Sequence, residues 1–264
     1  MKITFSLAFF LLLISSSLNS QDKELFEKQL FISGEDTLPC RILTPINFDA
    51  SKKYPLLIFL HGAGERGNDN KAQLTWGADL FLDSANRIKF PAIVIFPQCP
   101  SNDKWSEYNK NSLKDSTGYE YSEVAAMRKS LKLVSDFIDT LLQSNQVDKK
   151  RVYIGGLSMG GFGTLELLWR RPQTFAAAFP ICGATNPNKL KDYRKNLPIW
   201  IFHGDKDAVI NVSNSRLIYG ILKKTNPNAK YTEYAGVNHD SWKNAFAEPS
   251  LLSWLFAQKL TSVK

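Results

Sequence analysis

The sequence predicts an α/β fold: a mainly parallel central sheet with helices on both faces. Apolar runs at about 29–33, 41–44, 55–60, 92–96, 152–154, 175–182, 198–202 and 230–234 recur along the chain, alternating with helical segments from its middle onward. The run Val152-Tyr153-Ile154 leads through Gly155 directly into Gly156-Leu157-Ser158-Met159-Gly160 and then a helical pattern, so a strand, a tight turn and a helix follow without a linker. No Pro-, Gly- or Ser-rich stretch divides the chain and no internal repeat is present, which favours one continuous domain.

The first segment stands apart. Lys2 precedes an uncharged run from Ile3 to Ile14, followed by Ser15-Ser16-Ser17-Leu18-Asn19-Ser20. A basic start, an apolar centre and a small-residue exit predict a signal peptide over 1–20, too short to span a membrane comfortably. Its removal leaves 244 of the 264 residues, 21–264, for a single folded domain. The expected location is then the periplasm or the exterior, with no lasting membrane association.

The strand at 55–60 ends in His61-Gly62-Ala63-Gly64, whose small residues let backbone come close to a ligand. The strand at 92–96 opens the longest polar connection, Gln98 to Glu120, which holds Trp105, Tyr108 and Tyr119. Ligands bind at the carboxyl ends of such strands, and long loops there are functional or mobile. Trp105 and Tyr108 are therefore candidates to line a ligand-binding cleft, or Trp105 packs the loop down. Val124, Met127, Leu131, Val134, Ile138 and Leu141 then repeat at three- and four-residue spacing, a helix whose stripe faces the core.

The pentapeptide around Ser158 has the form G-x-S-x-G, the nucleophile elbow of serine hydrolases. A serine hydroxyl attacks only when exposed, and a sharp strand-to-helix turn exposes it. The turn also ends at a helix N-terminus, whose free N–H groups and positive dipole favour an oxyanion. Phe162, Leu165, Leu168 and Trp169 continue the helix, which ends before Pro172.

A nucleophile needs a base and an orienting acid. Of the three histidines, His61 and His203 close apolar strands, whereas His239 lies in the polar loop Gly236-Val237-Asn238-His239-Asp240. The acid follows the strand at 198–202, in Gly204-Asp205-Lys206-Asp207-Ala208-Val209. Asp205 suits a turn-capping role, and Asp207, followed by apolar residues, is better placed to turn in under the histidine loop. The expected set is Ser158, Asp207 and His239. The oxyanion donors would be the Met159 N–H and the Ala63 N–H, with Gly62 or Gly64 as the neighbouring possibility.

His61 to Gly67, Pro97-Gln98-Cys99-Pro100, Gly156 to Gly161, His203 to Val209 and Asn238-His239-Asp240-Ser241-Trp242 together resemble the α/β-hydrolase superfamily. Within it, they are similar to the secreted group of feruloyl and acetylxylan esterases, polyhydroxybutyrate depolymerase-like proteins and predicted peptidases related to prolyl oligopeptidase. The likeness runs from about residue 30 to the C-terminus. It implies the α/β-hydrolase fold, the same three catalytic residues and no cofactor. Lid domains of many relatives are inserted where only Gly183 to Pro198 connects two strands here, so no lid is expected and the site should admit bulky esters. A serine peptidase of prolyl-oligopeptidase type and a silent hydrolase fold that only binds are the alternatives.

The remaining features add little chemistry. The net charge of +8 falls by one with Lys2, and its scattered cations carry no nucleic-acid motif. Cys40, Cys99 and Cys182 leave at least one thiol unpaired and lack zinc-type spacing, so no metal is expected. Glu65 and Arg66 would orient substrate or, as an ion pair, stiffen the loop after His61, and Trp242 would anchor the loop of His239.

Overall fold

Eight strands form one sheet in the computed structural model, which describes residues 23–111, 118–122 and 126–260. The expected signal peptide lies outside those residues, as does Val124. In chain order the strands are β1 (Glu27–Ser33), β2 (Asp36–Leu43), β3 (Tyr54–Leu60), β4 (Ile93–Pro97), β5 (Asn109–Lys110), β6 (Tyr119–Glu120), β7 (Val147–Leu157), β8 (Ala177–Ile181), β9 (Ile199–Gly204) and β10 (Ala229–Tyr234). The large sheet runs β1-β2-β4-β3-β7-β8-β9-β10, and β5 pairs with β6 in a small antiparallel hairpin. From β4 through β3 to β10 every pairing is parallel, while β1 and β2 join antiparallel. This is the α/β-hydrolase fold that the sequence predicts.

Among the described residues seven helices cover the sheet: α1 (Ala78–Leu82), α2 (Ser84–Lys89), α3 (Lys129–Gln143), α4 (Met159–Arg170), α5 (Ser213–Leu222), α6 (Trp242–Phe246) and α7 (Leu251–Phe256). Successive side chains of a strand point to opposite faces, so β3 feeds two cores. Leu56, Ile58 and Leu60 pack with Leu131, Val134 and Ile138 of α3, Leu165 and Leu168 of α4 and Ile218 and Leu222 of α5. Leu57 and Phe59 pack on the other face with Phe81, Ala245, Leu251 and Leu255 from α1, α6 and α7. Burying two faces explains why the run at 54–60 is apolar throughout.

The helix expected from the stripe starting at Val124 begins at Lys129 instead. Its start is set from a distance: Asp103, in the loop after β4, accepts the Ser130 N–H at 2.9 Å and the Ser130 hydroxyl at 2.7 Å. Such a carboxylate satisfies an otherwise orphaned donor of the first turn. Met127, just outside the helix, still packs against the core. No helix among the described residues is long and apolar enough to cross a membrane.

Two glycines draw the loops at the carboxyl edge together. A side chain at Gly160, in the first turn of α4, would overlap the carbonyls of Leu60 and His61, so only glycine lets α4 rest on the end of β3. A side chain at Gly204 would likewise meet the carbonyls of Val237 and Asn238, so the end of β9 touches the loop after β10.

Candidate active site

Ser158 stands at the junction of β7 and α4 with φ of 53° and ψ of −119°. A non-glycine residue at positive φ is strained, and such strain concentrates at functional turns. The Ser158 N–H donates to the Ile181 carbonyl at 2.9 Å, which ties the turn to β8. Met159 opens α4, so its N–H belongs to the first-turn donors that have no carbonyl one turn back.

Asp207 and His239 meet Ser158 from the loops after β9 and β10. His239 Nδ1 lies 2.7 Å from Asp207 Oδ2, and His239 Nε2 lies 2.9 Å from Ser158 Oγ. An ionised carboxylate only accepts, so Nδ1 carries the proton and donates to Asp207. Nε2 is thereby left as acceptor for the Ser158 hydroxyl. Backbone bonds from Asp205 to Tyr234 and from Lys206 to Val237, both 3.0 Å, join the two loops. Asn238 joins them again: its Oδ1 accepts the N–H groups of Ala208 at 3.0 Å and of His239 at 2.9 Å.

The Asp207 side chain is fully buried, whereas that of His239 keeps 19% of its surface exposed. Burial by itself would raise the Asp207 carboxyl. Hydrogen bonds from His203 and His239 and the N–H of Ile210 outweigh it and hold the group well below the ordinary carboxylate range. His203 Nε2 lies 3.2 Å from Asp207 Oδ2 and 2.9 Å from the Ile210 carbonyl, and its Nδ1 is 2.7 Å from Ser215 Oγ. Asp205, the competing acid, instead accepts the Gly236 N–H at 2.6 Å. The sequence reading missed both His203 and Asn238. The signal for His203 was its four-residue spacing from Asp207 behind an apolar strand.

Ala63 opens a one-turn 3-10 helix, Ala63–Glu65, capped by Gly62. A Cβ on Gly62 would lie 3.7 Å from Ser158 Cβ, so this loop lies beside the serine. Its shape is held from below. Burial keeps the His61 imidazole neutral, with its titration pushed down to about 4. Its Nε2 accepts the Cys99 N–H at 2.9 Å, which leaves Nδ1 to donate to the Gly62 carbonyl at 2.6 Å. Gln98, also buried, donates to Asp69 at 2.7 Å and accepts the Asn70 N–H at 2.8 Å.

Two expectations need correcting. Trp105 does not line a cleft: it is fully buried, donates its indole N–H to the His61 carbonyl at 3.0 Å, and packs edge-on against the His61 ring. It packs the loop down under the Gly62 turn, because that carbonyl offers the buried indole its partner. Arg66 reaches backbone carbonyls of Ala63, Ser101 and Asp103, and Glu65 faces the Gly62 N–H and the Trp76 indole. Tyr108 is half-buried. Its ring stacks 4.5 Å from Phe162, one turn beyond Ser158, and meets Tyr119 at 5.3 Å. Phe162, Tyr119, Ile210 and Ala184 complete a small aromatic wall beside the Asp207 loop. On the other side Trp242 stands edge-on to His239 at 5.4 Å and 5.7 Å from Trp76.

Cys40, Cys99 and Cys182 are all free and buried. Cys182 follows β8 with φ of 40°. Its sulfur, a ligand oxygen of Asp207 and a ring nitrogen of His239 lie within 4.8 Å of one another.

Comparison with known proteins agrees with this architecture. Residues 44–250 match the family described as phospholipase/carboxylesterase. A crystal structure of a thermostable esterase superposes with a TM-score of 0.80 at 35% identity, covering 90% of this chain and 64% of that one. An acyl-protein thioesterase 1 homolog of Dictyostelium discoideum is 25% identical over 192 residues, 70% of this chain and 85% of its own. A bifunctional acetylxylan esterase/xylanase of Neocallimastix patriciarum is 27% identical over 169 residues, and the chain spans only 21% of that protein.

Proposed function

The chain belongs to the phospholipase/carboxylesterase family, and from that premise we propose that it is an exported serine esterase working through an acyl-enzyme on Ser158. The observation that carries the reading is the unbroken hydrogen-bonded chain from Ser158 through His239 to Asp207, at 2.9 and 2.7 Å, with the serine on a strained turn. His239 Nε2 takes the hydroxyl proton as Ser158 Oγ attacks the ester carbonyl. Asp207 holds the ring in the required tautomer and stabilises the imidazolium that forms. The N–H groups of Met159 and Ala63 face the developing oxyanion, a contribution of several kcal/mol in comparable sites. His239 then returns the proton to the departing alcohol, and water repeats the sequence to release the acid. Residues 1–20 act as the export signal, which places the enzyme in the periplasm or outside the cell.

The substrates are acyl or aryl-acyl esters, including those carried on polysaccharide. The aromatic cluster of Tyr108, Phe162 and Tyr119, which starts one helical turn beyond Ser158 and presents the partly exposed Tyr108 ring, supports an acyl group with a flat or apolar body. A thioester is the second reading, supported by the acyl-protein thioesterase relative, most of whose length the chain covers.

The test compares mature wild type with Ser158→Ala on 4-nitrophenyl acetate, methyl ferulate, acetylated xylan, a palmitoyl thioester and a prolyl-peptide anilide. Loss of the serine should cut ester turnover by several orders of magnitude. Anilide cleavage at a comparable rate would replace the esterase reading with a peptidase. Equal inertness of both proteins, together with no labelling of Ser158 by a fluorophosphonate, would leave a binding protein.

A further inference from the structure

Cys182 is a buried nucleophilic group with no task in ester hydrolysis. Its backbone is held in the left-handed region, at φ of 40°, an arrangement that costs free energy for a non-glycine residue. Its thiol is buried where the loops after β7, β9 and β10 converge, within 4.8 Å of donor atoms of Asp207 and His239. Ser241 adds a fourth group. Its buried hydroxyl lies within hydrogen-bonding reach of the Cys182 thiol. A sulfur, an imidazole nitrogen and a carboxylate, drawn from the loops after β8, β10 and β9, with a hydroxyl beside the sulfur, form a donor set suited to a borderline-soft cation.

We propose that Cys182, Asp207 and His239 form an inhibitory site for a divalent cation of the zinc class. The charges close: one thiolate and one carboxylate neutralise the two positive charges of the ion, as a buried centre requires. Magnesium and calcium demand six or more oxygen ligands and meet a single carboxylate here. The ion arrives past the His239 ring, the partly exposed member of the trio. Binding is ligand exchange without redox chemistry. The hydrated ion sheds water, the thiol proton passes to solvent, and a metal–sulfur bond forms. The ion takes the ring nitrogen that faces Asp207, and the proton of that nitrogen is carried on Nε2 instead. Nε2 then donates to Ser158 Oγ and can no longer take its proton, so the base is lost while the fold stays intact. The inhibition rests on the catalytic reading of Ser158, His239 and Asp207; the binding of the ion does not.

Two measurements test the site. Cobalt(II), a spectroscopic substitute for zinc, is titrated into metal-free wild type and Cys182→Ser. A thiolate-to-cobalt charge-transfer band in wild type, missing from the variant, is the expected result; its absence from wild type overturns the site. Zinc chloride is then added to 4-nitrophenyl acetate assays in a non-chelating buffer. Wild type should lose turnover and regain it with EDTA. Cys182→Ala, active without metal, should need at least about tenfold more zinc, since even outer partners of metal ligands change affinity by that factor. An equal zinc response in wild type and variant places the inhibition elsewhere and overturns the proposal, as does a cobalt band with turnover untouched by zinc. If the alanine variant fails to fold, the cobalt band in wild type still decides the site. If wild type hydrolyses no ester, the catalytic reading fails while the cobalt result stands on its own.

Discussion

His203 Nε2 stands 3.2 Å from Asp207 Oδ2, the same oxygen that His239 reaches at 2.7 Å. One carboxylate is thus held between two imidazoles, one buried at the end of β9 and one facing the serine. The Asp207 carboxylate and the Ile210 carbonyl at His203 Nε2 only accept, so the proton sits on Nε2 and the Ser215 hydroxyl, 2.7 Å from Nδ1, donates to that nitrogen.

His203→Ala should therefore weaken catalysis without touching substrate. A hydrogen bond to a charged group contributes about 1.5–3 kcal/mol, so kcat should fall by roughly 10- to 100-fold with KM nearly unchanged. His203→Gln, which keeps a donor, should recover part of the loss. Steady-state kinetics on 4-nitrophenyl acetate, with a melting curve for each variant, decide the point. An unchanged kcat would show that His239 alone orients Asp207.

Asp207→Asn should reverse the tautomer of His239 and cost about 10⁴ in kcat, the magnitude found when such an acid is neutralised. It should also change how stability depends on pH. The folded carboxyl titrates well below its unfolded value near 3.9. In the window between those two values the unfolded chain binds more protons than the folded one. The contribution of Asp207 is therefore complete above the unfolded value and is lost as pH falls through the window toward the folded one. Thermal melts from pH 6 down to pH 2 should fall less steeply for the asparagine variant than for wild type. Parallel curves would contradict the assignment.

The Ala63 N–H can be removed without removing its residue. Ala63 is the first residue of its short 3-10 helix, a position where proline is tolerated because its fixed φ suits the turn. Ala63→Pro should keep the melting temperature and lower kcat by about 10²–10³, the loss expected for one oxyanion donor. A variant with normal kcat would move the donor to Gly62 or Gly64.

Trp105→Phe tests the corrected role of that residue. The change leaves the His61 carbonyl without its indole partner, in a buried setting where an unpaired group costs about 1–3 kcal/mol. The variant should melt several degrees lower with KM for small esters unchanged. A rise in KM without loss of stability would return Trp105 to the cleft.

The inner strands β3, β4, β8 and β9 and the second half of β7 were legible in the sequence because each is a continuous apolar run that is buried, whereas β1 and β10 are mixed in composition and nowhere buried. The strand order decided which loops meet at the carboxyl edge. Ser158 was legible from its glycines. Asp207 and His239 were chosen from chain order and polar context, and the fold brings all three together. What stayed hidden depends on partners far along the chain. Trp105 sits among polar residues, and only the His61 carbonyl, 44 positions earlier, explains why it turns inward. The start of α3 is set by Asp103 rather than by its own residues. Strands of two residues, such as β5 and β6, are too short to leave a periodic signal.

Ser158 and His239 belong to parts of the sheet with unequal protection. The nucleophile follows the central strand β7, buried from Val152 to Leu157, whereas the base follows β10, an edge strand whose residues are all at least partly exposed. Local opening begins where few buried contacts resist it. On heating, the histidine loop should then open before the interior does, so that activity should be lost ahead of the melt followed by circular dichroism and return on cooling. On that account the margin of the sheet rather than its centre should set the temperature at which activity is lost, and bracing β10 should raise it.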